Sequence, residues 1–441
     1  MHLKNIGQVL LTELDNLREH IHKGIDAEAL ARSSGFLRRR PRKLPMTDLL
    51  LALTALAAES FLTLERVVSI IGLATQLAYS KQALHKRLTP AIERFLAQAA
   101  TALFGQLQES RARLRGLFNP FRRVLLHDST VETLPEHLAK IFPGSRNGRK
   151  GYAALKIQFI TDLLSGQALH LSLSSFRRND QAAAQDILGV VQAGDLIIRD
   201  LGYFVVRSLQ WVIEVEAFFV SRCRADMTFS DPRTHRPLDL SAELRRCGRL
   251  DRDVLLGAQQ VPMRLVALPM PEAVANERRR KAKVNQRCRP TAQRLFLLGW
   301  SILITNVPRS VWTPKVVAAI YRLRWRIEMI FKAWKSHLGL RQLYCRSAKV
   351  LRLAVMTKLL FCVLAYRCCQ TLELLCGQMD HHVSLQRLAR IIATCACLAE
   401  ARLLGTTAQR LWDHFLTHDI FYERRKDRKN FCELFADLAT E

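Results

Sequence analysis

Between residues 121 and 221 the chain sets out an order of segments that few architectures satisfy. Residues 123–128 (RVLLHD) are a short β-branched and apolar run ending in an acid. Residues 155–161 (LKIQFIT) and 168–174 (ALHLSLS) alternate apolar and polar side chains, and 162–167, with Ser165-Gly166, reads as the hairpin turn between them. Residues 179–191 read as a helix with Asp180 near its start. Residues 195–200 (DLIIRD) form a buried strand that again ends in an acid. A helix over 203–211 and a fifth strand at 217–221 (AFFVS) follow. Three strands, helix, strand, helix, strand is an antiparallel meander leading into parallel βαβ units.

That order opens a ribonuclease-H-like (retroviral integrase-like) α/β core. From 223 to 300 the alternation stops. Short strand-like runs at 254–256 and 263–268 are followed by a basic stretch, 278–283 (RRRKAK), with Arg287 and Arg289 beyond it. A β-rich insertion with a basic loop is expected there. Residues 301–305 (SILIT) then read as a strand and 313–335 as one long helix. The flanks read as helical: 49–58 and 88–103 are rich in Ala and Leu at helical spacing. Between them, 80–87 (SKQALHKR) is a Ser-capped helix start, and Gly72 before it makes a helix-turn-helix element conceivable. The expected division is a helical domain over 1–118 and an α/β core over 119–222. The insertion takes 223–305, the core resumes over 306–342 with the long helix, and a second helical domain fills 343–441.

Charge narrows the partners. The chain carries 67 Lys and Arg against 39 Asp and Glu, a formal charge of +28, with a pI near 10.3. A polyanion releases counterions on such a surface, so nucleic acid is the leading partner and an anionic membrane the rival. The basic clusters at 38–40, at Arg42 and Lys43, at Arg111, Arg113 and Arg115, and at 424–429 also admit a plainer role as solvated helix faces. Eleven cysteines without one CxxC pair suit neither zinc nor a disulfide framework. Residues 1–15 mix charge with apolar side chains, so no secretory signal is expected. Nor does any apolar run reach the ~20 residues of a bilayer span. A reduced, cytoplasmic, nucleoid-associated compartment without membrane contact is the expectation. The pair His381-His382, beside Asp380, is expected to be solvated loop rather than a metal site.

Three acids stand out by position: Asp128 and Asp200 at adjacent strand ends, and Glu328 on the long helix. Such carboxylates on rigid elements form a ligand set for two divalent cations about 4 Å apart, which activate an attacking oxygen and stabilise a leaving one at a phosphodiester. Mg2+ prefers hard oxygen donors of this kind, with Mn2+ its natural substitute. Acids at strand ends also cap following helices, which is the plain alternative. On the helix, Tyr321, Arg324, Glu328 and Lys335 are spaced so that, at about 100° per residue, all lie near one face. Arg324 and Lys335 would grip phosphates beside a metal-holding Glu328, although Arg324 and Glu328 also fit a simple intrahelical ion pair.

These four residues reproduce a Y-(2)-R-(3)-E-(6)-K signature, and Trp325 to Glu328 spell its WRIE core. In this the chain resembles bacterial insertion-sequence transposases of the DDE class, most closely the insertion sequence 4 family, over about residues 125–342. His127-Asp128-Ser129 matches the family's first acid. Asp200-Leu201-Gly202-Tyr203 matches the second, with leucine where the family often has arginine. The resemblance implies binding of double-stranded DNA at terminal inverted repeats by a homodimer and cut-and-paste transposition. Water activated by metal nicks each end, the freed 3′ hydroxyl attacks the opposite strand to leave a hairpin, the hairpin reopens, and the ends join target DNA. It also implies that Asp128, Asp200 and Glu328 hold the metal and that Tyr321, Arg324 and Lys335 bind DNA. Trp300 would support a flipped base, although a lone Trp is more often core. Two other readings stay open: a catalytically inactive DNA-binding relative, and a structure-specific nuclease that cuts without joining.

Overall fold

The alternating segments do form strands, and more of them than the periodicity announces. A computed structural model describes residues 19–39, 44–57, 62–103 apart from 66, 69, 70 and 72–78, 116–284 apart from 148, 149 and 225, 290–341, 347–376, 382–391, 393 and 422–423. Strands β1 (Val124–Leu134), β2 (Pro143–Asn147), β3 (Lys150–Asp162), β4 (Ala168–Ser175), β5 (Leu196–Arg199) and β6 (Phe218–Arg222) come first. β7 (Phe229–Ser230), β8 (Leu250–Leu256), β9 (Val261–Pro269) and β10 (Trp300–Thr305) continue the same ten-stranded sheet. Its order is β2-β3-β1-β5-β6-β10-β9-β8-β7, with β4 also on β3.

The meander is antiparallel, β1 on β3 and β3 on β4, and β1, β5 and β6 run parallel. Gly166, at φ 66°, takes the left-handed position of the turn expected between β3 and β4. β10 closes antiparallel on β6, and β9 and β8 extend the sheet from there. So the strands expected between residues 223 and 305 are present as an antiparallel extension of one mixed sheet beyond β6, with the two-residue β7 at its edge. β2 is a strand beyond those expected; Pro143 and Gly144 are tolerated in it because it lies at a sheet edge.

Before the sheet lie α1 (Ala27–Ser33), α2 (Met46–Ala55), α3 (Lys81–Arg87) and α4 (Ala91–Leu103). Ser80 caps α3 as its type and position require, its Oγ accepting from the Ala83 N–H at 3.2 Å. Gly72, Arg42, Arg111, 424–429, His381 and Asp380 lie outside the described residues. His382 sits in a two-residue strand, β11 (His382–Val383), paired with β12 (Tyr422–Glu423), and not in a loop.

Several helices differ from expectation. Only one α turn, α5 (Asp180–Ala183), forms after Asn179, followed by a tighter 3₁₀ segment to Gly189. α6 (Val206–Glu214) starts three residues later than read, because Tyr203 belongs to a 3₁₀ turn, Leu201–Tyr203. After α7 (Leu240–Cys247), the basic stretch is not a loop but lies on α8 (Glu272–Val284). That segment has no Gly or Pro after Pro271, and Glu277 pairs with Arg280 and Lys281 one turn on, so helix wins over charge repulsion. α9 (Ala292–Leu297) precedes β10. The long helix is two: α10 (Pro314–Arg322) and α11 (Trp325–Ser336), broken at Leu323 and Arg324. α12 (Ala348–Cys376) follows. No described helix is long and apolar enough to cross a membrane.

Both faces of the sheet are covered. Val124, Leu126, Phe159, Leu196 and Ile198 pack with Ile327, Phe331 and Trp334 of α11 and with α12, in a core that reaches back to α2 and α4. Leu125, Ile160 and Ile197, of opposite parity, pack with Leu209 and Val212 of α6 and with β8 and β9. Each fully buried aliphatic side chain here contributes about 1.5–3 kcal/mol of transfer free energy, and the sandwiching helices fix which side of β1 each residue faces.

Candidate active site

Asp128 is not at the end of its strand. β1 runs six residues further, Ser129–Leu134 pairing with 153–158 of β3. A carboxylate is tolerated in mid-strand because it faces the gap between the sheet and α11, opposite Phe159 in the register. Asp200 does stand immediately after its strand, where the chain turns into Leu201–Tyr203. β1 and β5 are hydrogen-bonded neighbours, with His127 paired to Arg199, so Asp128 and Asp200, each the next residue, lie side by side at the same level.

The third acid arrives from α11, and one guanidinium joins all three. Arg324 Nη1 lies 3.2 Å from Asp128 Oδ2, Nη2 lies 2.5 Å from Glu328 Oε1, and Nε lies 3.9 Å from Asp200 Oδ1. Tyr321, at the end of α10, donates its hydroxyl to Asp200 Oδ1 at 3.0 Å. Leu323 and Arg324 keep right-handed helical dihedrals through the break, so Tyr321, Arg324 and Glu328 still share the face expected of one helix and meet at the cluster. Lys335, two turns further along α11, donates to the Val131 carbonyl at 2.7 Å and pairs with Glu132 at 2.9 Å. It is bound to β1 and not to the acids. Trp300 opens β10, half-buried against Phe296, and Arg278 reaches its carbonyl at 3.5 Å; no described contact joins it to the three acids.

Electrostatically the cluster has more negative than positive charge. Burial raises the Asp128 carboxyl to about 7, and the like charges of Asp200 and Glu328 push the same way against the pull of Arg324. The Tyr321 phenol is raised by burial and by the Asp200 carboxylate, so it stays a donor. Arg324, despite burial, is held firmly charged by Asp200, Tyr321 and Glu328. Among the described residues no three His, Cys, Asp or Glu side chains are grouped closely enough to hold a metal ion; between these acids lies the guanidinium. The donor chemistry nevertheless fits a hard divalent cation: carboxylate oxygens only, already gathered around one positive group and short of charge.

Sequence reasoning missed a second polar cluster, on the reverse side of the same strands. Asp180 Oδ1 accepts from Ser129 Oγ at 2.8 Å, Lys156 Nζ at 2.9 Å and Gln158 Nε2 at 3.5 Å. The Tyr203 hydroxyl donates to Gln158 Oε1 at 2.6 Å. The signal was present: Lys156 and Gln158 are polar positions of the alternating LKIQFIT, to which no role was given, and both are buried. Trp325, named above only as the first residue of the WRIE core, is 60% exposed beside Arg324 on the first turn of α11.

With this geometry in place, comparison with known proteins is specific. A family model described as a transposase DDE domain matches residues 119–364, which include all three acids. The transposase for insertion sequence element IS231B of Bacillus thuringiensis subsp. berliner is 28% identical over 334 residues, 70% of each chain. The transposase for insertion sequence element IS231D of Bacillus thuringiensis subsp. finitimus is 28% identical over 341 residues, 71% of each. That of element IS1151 of Clostridium perfringens is 26% identical over 292 residues, 59% of this chain and 60% of its own. Among solved structures, a cryo-EM structure of the piggyBac transposase synaptic complex with hairpin DNA aligns at a TM-score of 0.37 and 10% identity, covering 92% of this chain and 83% of that one.

Proposed function

Because this chain belongs to the family of transposases with a DDE domain, we propose that it binds the terminal inverted repeats of an insertion sequence, cuts them free and joins them to new DNA. The observation that carries the reading is the meeting of Asp128, Asp200 and Glu328 around Arg324, from two strands and a helix far apart in the chain. The meander followed by parallel strands supports a ribonuclease-H-like core for that site. Partners are double-stranded DNA and a second copy of the chain, so that two ends are held together, in the cytoplasm on the nucleoid.

Asp128, Asp200 and Glu328 would hold two Mg2+ ions, with Mn2+ able to substitute. When bound, such ions supply Lewis-acid activation of the attacking oxygen and neutralise charge at the phosphate. The remaining roles fall to side chains. Tyr321 holds Asp200 through its hydroxyl, fixing one donor oxygen before any substrate arrives. Arg324 supplies positive charge at the one place where three carboxylates meet, where a phosphodiester also needs it. Lys335 anchors α11 to β1 through the Val131 carbonyl, and so holds Glu328 at the level of Asp128. Successive steps, end nicking, a hairpin with Trp300 or another aromatic steadying a displaced base, and target joining, need only different nucleophiles at one site.

The test is replacement of each acid by alanine in the full chain, with Mg2+ and duplex DNA bearing the element's ends. Cleavage should fall by about a thousandfold or more while end binding is retained, and precut ends should fail to join target DNA. Cleavage that survives Glu328→Ala would falsify the assignment.

A further inference from the structure

The geometry points to Asp180 as a positioning residue for the proposed active site, one that sets the alignment of Asp128 with Asp200 from the reverse face of the sheet. The inference rests on the reading of those acids given above and deepens it. In β1 the side chains alternate, so Asp128 faces α11 and Ser129 faces the opposite side. There Asp180 Oδ1 takes the Ser129 hydroxyl and, from β3, Lys156 and Gln158. Its other oxygen faces the chain just after Asp200: a Cβ on Gly202 would lie 3.2 Å from Asp180 Oδ2. A side chain at Gly202 would therefore crowd Asp180, which would have to shift by a few tenths of an ångström to admit it. Tyr203, one residue on, is bound to Gln158, which is itself bound to Asp180.

One carboxylate therefore touches the residue after the first acid and the second residue after the other. Asn179, and not Asp180, caps α5, its Oδ1 accepting from Ala182 N–H at 2.8 Å, so the Asp180 side chain is not needed for the helix. Lys156, almost fully buried, has Asp180 as its one described acid partner, so the pair is held in place from both ends. Supports of this kind behind ligating side chains matter through the ligands they orient, and their loss typically costs about 10–100-fold in metal affinity or activity.

The test titrates the full chain with Mn2+ alone and follows binding, apart from any DNA reaction. Asp180→Ala should raise half-saturating Mn2+ about tenfold and slow cleavage at saturating DNA, with end binding unchanged. Asp180→Asn, which keeps an oxygen to accept from Ser129, should recover part of both losses. A merely structural role would lower the melting temperature and leave the Mn2+ midpoint of the folded protein alone. Should Asp180→Ala not fold, Gly202→Ala, which crowds the carboxylate, and Ser129→Ala, which deletes one bond, replace it. Unchanged Mn2+ midpoints and cleavage in the folded variants overturn the inference. Asp128→Ala run alongside separates the two readings: if it too binds Mn2+ and cleaves normally, the active-site assignment has failed rather than the role of Asp180.

Discussion

Asp128 has the most perturbed environment of the three acids, and its ionisation carries a measurable consequence. In the unfolded chain its carboxyl titrates near 3.8; folded and free of metal, it titrates at about 7. Between those values the native state keeps a proton that the unfolded chain has released. Stability therefore declines as pH rises through that window, and the whole penalty is present above the native value. The size is bounded by the shift, a few kcal/mol at most. Melting temperatures in chelator at about pH 5 and about pH 8 should differ more for the natural protein than for Asp128→Asn, which cannot ionise. Equal differences would mean that Arg324 neutralises the cluster more completely than burial and like charge oppose it. At this scale the sequence was a good guide to identity and a poor one to contact. The acids and their spacing to Tyr321 and Arg324 were legible, because motif spacing survives without coordinates. That Arg324 would reach Asp128 and Asp200 as well as Glu328 was not, since it depends on how α11 packs over β1 and β5, which no local spacing states.

Elements bring those residues together through packing, and α11 is the element on which most depends. Trp334 is 1% exposed, with Phe159 of β3 at 4.9 Å and Phe331 at 5.4 Å between ring centroids. Phe159 is the register partner of Asp128, so this aromatic contact fixes the height of α11, and with it Glu328, over the first acid. Trp334→Ala should cost about 3–5 kcal/mol in urea unfolding and slow cleavage in the fraction that stays folded. Among the described residues the indole nitrogen has no hydrogen-bond partner, so Trp334→Phe loses only volume and should lie much closer to the natural protein. A Phe variant as damaged as the Ala variant would mean that the packing argument fails. The strands of the meander and the parallel pair were readable because period-2 alternation and apolar runs are local signals. What escaped was also local in cause. α8 was taken for a loop because a basic run looks solvated, although its Ala, Glu, Arg and Lys are good helix formers. Asp128 was taken for a strand end because an acid rarely sits mid-strand, and only the facing helix explains why this one does.

Charge acts over the whole molecule, and +28 does not mean twenty-eight free cations. On α8, Arg279 pairs with Glu272, and Arg280 and Lys281 with Glu277, which they hold down to about 2. Cations already matched to acids release fewer counterions from DNA than unpaired ones, because a phosphate must displace the carboxylate first. Binding to duplex without the inverted repeats should still weaken by about a thousandfold or more between roughly 50 and 200 mM salt if about six or more phosphates are engaged, with a slope that counts them. Duplex DNA should also strip the chain from anionic vesicles, since phosphates spaced along a stiff duplex match fixed arginines better than mobile headgroups do. Glu277→Gln sharpens the measurement. It removes one acid and frees Arg280 and Lys281 on an exposed helix face, without touching Asp128, Asp200 or Glu328. If α8 lies along the DNA, log K against log salt should steepen by about one to two units, and binding at low salt should tighten. If neither changes, the two cations point away from the nucleic acid, and the basic helix serves to keep the chain soluble while other surfaces hold the ends.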